Sequence, residues 1–590
     1  MTIAATPPVF DRSTPLFEVL RTPEGHAVVS RYLPELVGSS VLHTLHGYPI
    51  GLVVDTESRF DDDPAARDAL LSEIARIAPA VAGHSQVNPP RSPSLDYEDE
   101  SVPTGSAAVS TPRTTTLYRR FELELSGPRH GNPFVDVSLH ATVEGPDGAH
   151  RVPGFYDGDG TYRVRYLPLA EGDHTLVTES NARSLDGIVV RFSVGGALQN
   201  DHGPVRVANT FHFAHADGTR HVPLGTTSYA WTHQPESVQA TTLATLAAAP
   251  FTKIRMGLFP KSYLFNENDP EIYPFERLDD GSFDLERPDV EYWARLDSRI
   301  DELDDLGIQA DLILFHAYDR WGFSTMPAAA DDRYVRYAVA RLAAHANVWW
   351  SLANEYDLLF EKSESDWERF AGIIGEDDPT GHLLSIHNCR AFYDYSRDWV
   401  THASIQRQDL YKTSEMVTDW RAAWGKPVVV DECVYEGNID QGWGNISGQE
   451  LTRRFWEGAL RGGYVGHGET YAHHDDRLWW SKGGTLHGSS PERIAFLAGI
   501  IAEGPAAGLE PIPLDWDAVR AGVEGAYYLY YFGFGRPTYR RFLLDPAAEY
   551  TIDVIDTWNM TVERLDGTYR GRFRIDLPGR EFIAVRLIAV

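Results

Sequence analysis

Two glutamates stand where apolar runs stop. Val348-Trp349-Trp350-Ser351-Leu352-Ala353 ends in Asn354-Glu355, and Pro427-Val428-Val429-Val430 ends in Asp431-Glu432, which places the second glutamate 77 residues after the first. Runs this short and apolar read as strands buried on both faces, so each carboxyl is delivered at a strand end. Two carboxyls in different surroundings can divide the work of nucleophile and acid. One must be ionised to attack, while burial and its neighbour's charge keep the other protonated. That is the equipment for cleaving an acetal such as a glycosidic bond.

Further polar side chains occupy comparable places. Arg255 interrupts the strand-like Lys253-Ile254-Arg255-Met256, and a charge inside an apolar strand needs a buried partner, for which Glu432 is the expected one. His316, the pair His387-Asn388, and Gln406 close other apolar runs and, like Asn354, could bond sugar hydroxyls. The stretch from Gly468 to Trp480 gathers Tyr471, His473, His474, Asp475, Asp476, Trp479 and Trp480. Trp479 or Trp480 is expected as a stacking face under a sugar ring. The contiguous His473 to Asp476 run lacks the one-face spacing of metal ligands, so neither metal nor cofactor is expected.

Strand ends act together only if a barrel gathers them. Between about residues 205 and 510 short apolar runs alternate with helical spacing, the pattern of parallel βαβ units. Eight strands are expected, near His221–Thr226, Lys253–Gly257, Gln309–Phe315, Val348–Ala353, Leu383–His387, His402–Ile405, Pro427–Val430 and Tyr464–Gly466. Helices show as Tyr292, Leu296, Ile300, Leu303 and as Val335, Val339, Leu342. The expected fold class is α/β, a (β/α)8 barrel over residues 201–510. Residues 114–200 read as an antiparallel β-sandwich, 511–590 as a C-terminal antiparallel β domain, and 1–113 as a helical segment with a Ser/Pro/Gly-rich connection. A long insert from Pro260 to Pro288, with Tyr263, Phe265, Tyr273 and Phe275, is expected to hang over the active face and seal it.

Composition narrows the partners. At 590 residues several folding units are expected. The net charge of −32, from 85 acidic against 53 basic side chains, repels nucleic acid and anionic membranes. No apolar run is long enough to span a bilayer, and the N-terminus lacks the features of a signal peptide, so a cytoplasmic protein is expected. Cys389 and Cys433, the two cysteines, are expected as buried free thiols at strand ends. Aromatic residues make up 12% of the chain and suit sugar faces as well as a core.

The two carboxyls resemble the clan A glycoside hydrolases, whose acid/base glutamate follows an asparagine at the fourth strand end and whose nucleophile ends the seventh strand. The resemblance implies a retaining mechanism, with Glu432 attacking the anomeric carbon and Glu355 as acid/base. It also implies that Arg255 orients the nucleophile. Gln406 departs from the aromatic or histidine partner that the clan often places on the sixth strand. The run from Phe211 to Trp231, with an Asp217-Gly218 turn leading into the first strand, is similar to the apiosidase-like glycosidases, which commonly carry a sandwich before the barrel and a β domain after it. That likeness implies that Tyr229 and Trp231 face the pocket. The expected function is an exo-acting retaining glycosidase, possible as a homo-oligomer, releasing a terminal sugar from a small glycoside. A non-catalytic carbohydrate-binding barrel would not need both carboxyls, and a metal-dependent hydrolase would use His316 and the His473 to Asp476 run.

Overall fold

The computed structural model describes residues 9–20, 22–37, 42–45, 47–77, 93–94, 96–409, 411–474, 477–515 and 517–590. Eight parallel strands make the centre: β1 Gly225–Thr227, β2 Lys253–Gly257, β3 Gln309–His316, β4 Val348–Asn354, β5 Leu384–Ser385, β6 Ala403–Gln406, β7 Val428–Glu432 and β8 Tyr464–His467. They pair in the order β5-β4-β3-β2-β1-β8-β7-β6. One bridge from His387 to Ser404 joins β5 to β6 and closes the ring. The helices form a shell because each has one apolar face. Val290–Asp305, for example, starts where the Asp289 carboxylate accepts from the backbone N–H groups of Glu291 and Tyr292, and it buries Tyr292, Leu296, Ile300 and Leu303.

The first barrel strand is shorter than the sequence pattern suggests. Pro223 has no N–H to give a ladder, and His221 belongs instead to a three-stranded antiparallel sheet of Val205–Ala208, His212–His215 and Arg220–His221. This sheet plugs the bottom of the barrel. Val205 and Phe213 pack with Trp349, Leu383 and Val429, residues at or near the N-terminal ends of β4, β5 and β7.

A β-sandwich precedes the plug. Its strand Gly148–Tyr156 changes sheets part-way: Gly148 to Pro153 pairs with Leu139–Gly145, and Gly154 to Tyr156 pairs with Thr161–Tyr166. Ala108–Ser110 adds an edge strand from within the segment that reads as irregular in the sequence. After the barrel, a six-stranded antiparallel sheet and a separate two-stranded ribbon form the C-terminal β domain. Short helices between Leu16 and Ile74 make a unit with its own apolar core, including Leu16, Leu20, Val29, Ile50, Val54 and Leu70. No helix among the described residues is long and apolar enough to cross a membrane.

A buried ionic knot locks the sandwich to the barrel. Arg165 of the sandwich and Arg341 of the helix Ala328–Leu342 both bond Asp297, at 3.0 and 2.9 Å, and His345 lies 3.3 Å away. Burial would raise the Asp297 pKa, but Arg165, His345 and Arg341 together hold it well below the usual carboxylate range. Such a depressed group contributes stability above its unfolded pKa of about 4, and the contribution is lost as pH falls through the lower folded value. Asp297→Ala leaves two buried guanidinium groups without this partner and is expected to cost about 3–5 kcal/mol. Urea denaturation at pH 7 measures it, and a loss below about 1 kcal/mol would show that the knot is not structural.

Candidate active site

At the C-terminal mouth of the barrel is a cavity of about 590 Å³ that holds Asn354, Glu355 and Glu432. Asn354 is the last residue of β4, and Glu355 turns off the strand with φ +54°, a left-handed conformation rare outside glycine. Glu432 ends β7. The pairing of β6 with β7 shifts register between Ser404 and Gln406. Such an irregularity lets consecutive side chains, Asp431 and Glu432, both reach partners on β2 instead of alternating across the strand.

Arg255 ties the group together. Its guanidinium donates to Glu432 Oε1 at 3.2 Å, to Asn354 Oδ1 at 3.1 Å and to the Tyr229 hydroxyl at 3.2 Å. The Tyr229 hydroxyl in turn donates to Glu432 and lies 2.9 Å from Asn354 Oδ1. His387 Nε2 lies 3.4 Å from the same Glu432 oxygen. Beneath Arg255, Lys253 Nζ bonds Asp311 at 2.6 Å and Asp431 at 2.7 Å. Burial alone would raise the Glu432 pKa, but His387, Arg255 and Tyr229 hold it at about 2. Glu355 goes the other way. Burial and the Glu432 charge push it up to about 7, against the Tyr318 hydroxyl, which donates to it, and the Lys261 charge. Two carboxyls in one cavity thus rest in opposite protonation states at mildly acidic pH.

The other residues read from the sequence fall into three groups. Tyr229, Trp480 and Gln406 line the cavity. Tyr229 and Trp480 meet edge to face at 5.5 Å, and the Tyr229 N–H bonds the Trp480 carbonyl. Arg255 and His387 act on Glu432 from behind, so the support absent from Gln406 comes from β2 and from the end of β5. The rest do not face the cavity. His316 Nε2 is engaged with the Phe259 carbonyl at 3.1 Å. Asn388 bonds the backbone of Gln406 on both sides and fastens β5 to β6, where the ladder is thinnest. Trp231 is fully buried in the barrel core, and Trp479 points inward to donate to Thr226. Tyr471 bonds Glu436, and the exposed His473 stacks on His487 at 4.6 Å. Asp475 and Asp476 lie outside the described residues. No group of three or more metal-binding side chains occurs among the described residues. Both cysteines are free, but Cys389 is only half-buried and lines the cavity from the loop after β5.

The long insert is only partly a lid. Tyr263 lines the cavity and Phe265 packs on Trp443 and Trp480. Tyr273 and Phe275 turn away into the helical shell, against Phe283 and Phe323. The insert also brings Lys261, one of only six lysines in the chain. Its side chain is buried, with Nζ over the rings of Tyr229 at 3.7 Å, Tyr318 at 4.1 Å and Trp480 at 4.4 Å. Burial lowers its pKa to about 7, against the pull of Glu355 and Glu432. Tyr318 and Lys261 escape a search of strand ends because both sit in loops, two residues past β3 and four past β2. A lysine within an aromatic run of a lysine-poor chain is the one signal that could have found the second.

An eight-stranded barrel with paired carboxyls at strand ends is the arrangement found in glycoside hydrolases, and the family match places the chain in that class. Residues 208–504 match the family model described as "Apiosidase-like, catalytic domain", and the chain belongs to this apiosidase-like family. Residues 114–181 and 516–588 match two domains of unknown function, DUF5060 and DUF5605. None of the three matches reaches residues 1–113. A crystal structure described as a "putative glycoside hydrolase" from Bacteroides vulgatus ATCC 8482 is similar at 36% identity and TM-score 0.77, over 81% of this chain and 100% of its own. A family 5 glycoside hydrolase from the same organism shares the fold, at 15% identity and TM-score 0.52 over 66% of this chain and 95% of its own. No curated protein matches.

Removing Arg255 tests the electrostatic reading. Arg255→Met leaves Glu432 buried without its cation and is expected to destabilise the fold by about 3–5 kcal/mol. It should also raise the Glu432 pKa, read by carboxyl-carbon NMR titration. An unmoved Glu432 titration would show that Tyr229 and His387 suffice.

Proposed function

We propose that the protein is a retaining, exo-acting glycosidase in which Glu432 is the nucleophile and Glu355 the acid/base. The observation that carries this reading is the unlike surroundings of two carboxyls in one cavity: Arg255, Tyr229 and His387 converge on Glu432 and favour its ionised form, while burial beside that charge pushes the Glu355 pKa up. At mildly acidic pH, Glu432 is ionised and held by Arg255 and Tyr229, so its free electron pair can attack the anomeric carbon. Glu355 still carries its proton and gives it to the departing oxygen. Once Glu432 is bonded to the sugar its charge is gone, the Glu355 pKa falls, and Glu355 can take a proton from water for the second displacement. Asn354, fixed by Arg255 and Tyr229, is placed to bond the hydroxyl beside the anomeric carbon, and Trp480 to face the sugar ring. The enclosure by Tyr263 and Trp480 supports a pocket that takes one terminal sugar of a small glycoside.

Glu432→Gly should abolish hydrolysis, and azide should restore turnover with a glycosyl azide of inverted configuration, identified by proton NMR of the anomeric centre. Residual hydrolysis without azide would remove Glu432 as nucleophile.

The pH profile provides a second check. Because Glu355 must start protonated, kcat/KM should fall about tenfold per pH unit above about 7, where the raised pKa of Glu355 is passed. Glu355→Gln should remove that limb for substrates whose leaving group needs no proton, such as dinitrophenyl glycosides. Persistence of the limb in the variant would assign it to Lys261.

A further inference from the structure

The helical unit before the sandwich lies outside every family match, yet it touches the catalytic cavity. Gly47 lines the same cavity as Glu355 and Glu432. Phe17 packs in one apolar cluster with Tyr263, Tyr318, Leu358 and Trp480. Phe360 docks against the unit's core, meeting the Phe17 ring at 6.1 Å, and His26 lies 3.8 Å from Glu361. The guanidinium of Arg390 rests over the Phe17 ring at 5.3 Å, and a Cβ on Gly47 would stand 3.2 Å from its Nη2. No carboxylate or carbonyl takes up that guanidinium among the described residues, so its donors are available to whatever enters.

The position decides which part of a substrate the unit meets. Leu358, Phe360 and Glu361 follow Glu355 directly, and Arg390 follows β5, so the unit sits on the β4–β5 sector of the mouth. Tyr229 and Trp480 follow β1 and β8, the strands opposite β5 and β4 in the order of the ring. The next step rests on the reading of Glu355 as the acid. A group that leaves with the Glu355 proton departs on the Glu355 side, which is the side this unit walls.

We propose that the N-terminal helical unit builds the leaving-group subsite, with the Gly47 backbone as its wall and Arg390, seated on Phe17, as the donor to oxygens of a leaving sugar. Gly47 matters because it has no side chain where the subsite is narrowest. Its φ is not positive, so a larger residue is accommodated by the backbone and fills the space instead.

The test uses the full chain. Nitrophenyl glycosides are screened for a sugar that supports turnover, and that sugar is then presented on nitrophenol and on a second sugar as leaving groups. Arg390→Ala is expected to lower the ratio of kcat/KM for the disaccharide to that for the nitrophenyl glycoside by about tenfold, the worth of a hydrogen bond to a charged donor. Gly47→Trp should lower the same ratio, and Arg390→Lys should restore part of it. Melting temperatures equal to that of the parent exclude misfolding as the cause. An unchanged ratio in both Arg390→Ala and Gly47→Trp would overturn the subsite while leaving the glycosidase reading intact. Absence of turnover with every glycoside would overturn that reading and the subsite with it.

Discussion

A guanidinium with 1% of its surface exposed is the constraint on which the mouth of this barrel depends. Arg255 cannot be left without anions at that depth, because an unpaired buried charge costs several kcal/mol. It therefore draws Glu432, Asn354 and Tyr229 to one point, from β7, β4 and the end of β1. The aspartates below it, Asp311 and Asp431, are themselves held by Lys253. The result is an alternation of charge from the barrel floor to the cavity in which each member fixes the next. Pre-organisation of this kind holds the carboxylate proposed as nucleophile in place without reorganisation at the moment of reaction.

The same network explains why two glutamates of one cavity differ so much. Glu432 faces the cation of Arg255 as well as Tyr229 and His387, whereas Glu355 accepts from the neutral Tyr318 hydroxyl and, at 3.3 Å, from Asn354 Nδ2, and lies within the field of an ionised neighbour. Its left-handed backbone turns the side chain off the strand and into that environment. A non-glycine residue held there costs about 1–3 kcal/mol, and such strain is kept where the surrounding structure over-determines it. The Tyr318 bond and the packing of Leu358 after it supply that restraint. The aromatic cage of Lys261 adds a cation whose charge is felt by both carboxyls without an ion pair to either.

What the sequence reveals follows from how each residue is constrained. The strands β3, β4 and β7 are continuous apolar runs because both faces are buried, and those runs mark Asn354, Glu355 and Glu432. Arg255 is conspicuous as a charge in such a run. β5 is hard to see because it is two residues long and its closure rests on the single His387–Ser404 bridge, helped by the Asn388 side chain on the Gln406 backbone, contacts that leave no pattern. Trp479 and Trp480 are chemically alike in the sequence, and only the short helix they begin decides that one faces the core and the other the cavity. His316 and Trp231 stand next to the site in the chain but do not line the cavity, because His316 Nε2 is engaged with the Phe259 carbonyl and Trp231 packs into the core. Tyr318 and Lys261 are loop residues whose place depends on the loop's path, which no periodicity records.

The plug beneath the barrel has a kinetic meaning as well as a structural one. Phe213 against Trp349 covers the lower end of the barrel, so the described cavity opens toward the C-terminal mouth. Everything that enters or leaves must pass the same rim in turn. In the double displacement proposed above, the departing group would then stand between the covalently held sugar and bulk solvent. On that proposal the order of events would be a property of the container: the first product would have to clear the mouth before the second reactant arrives.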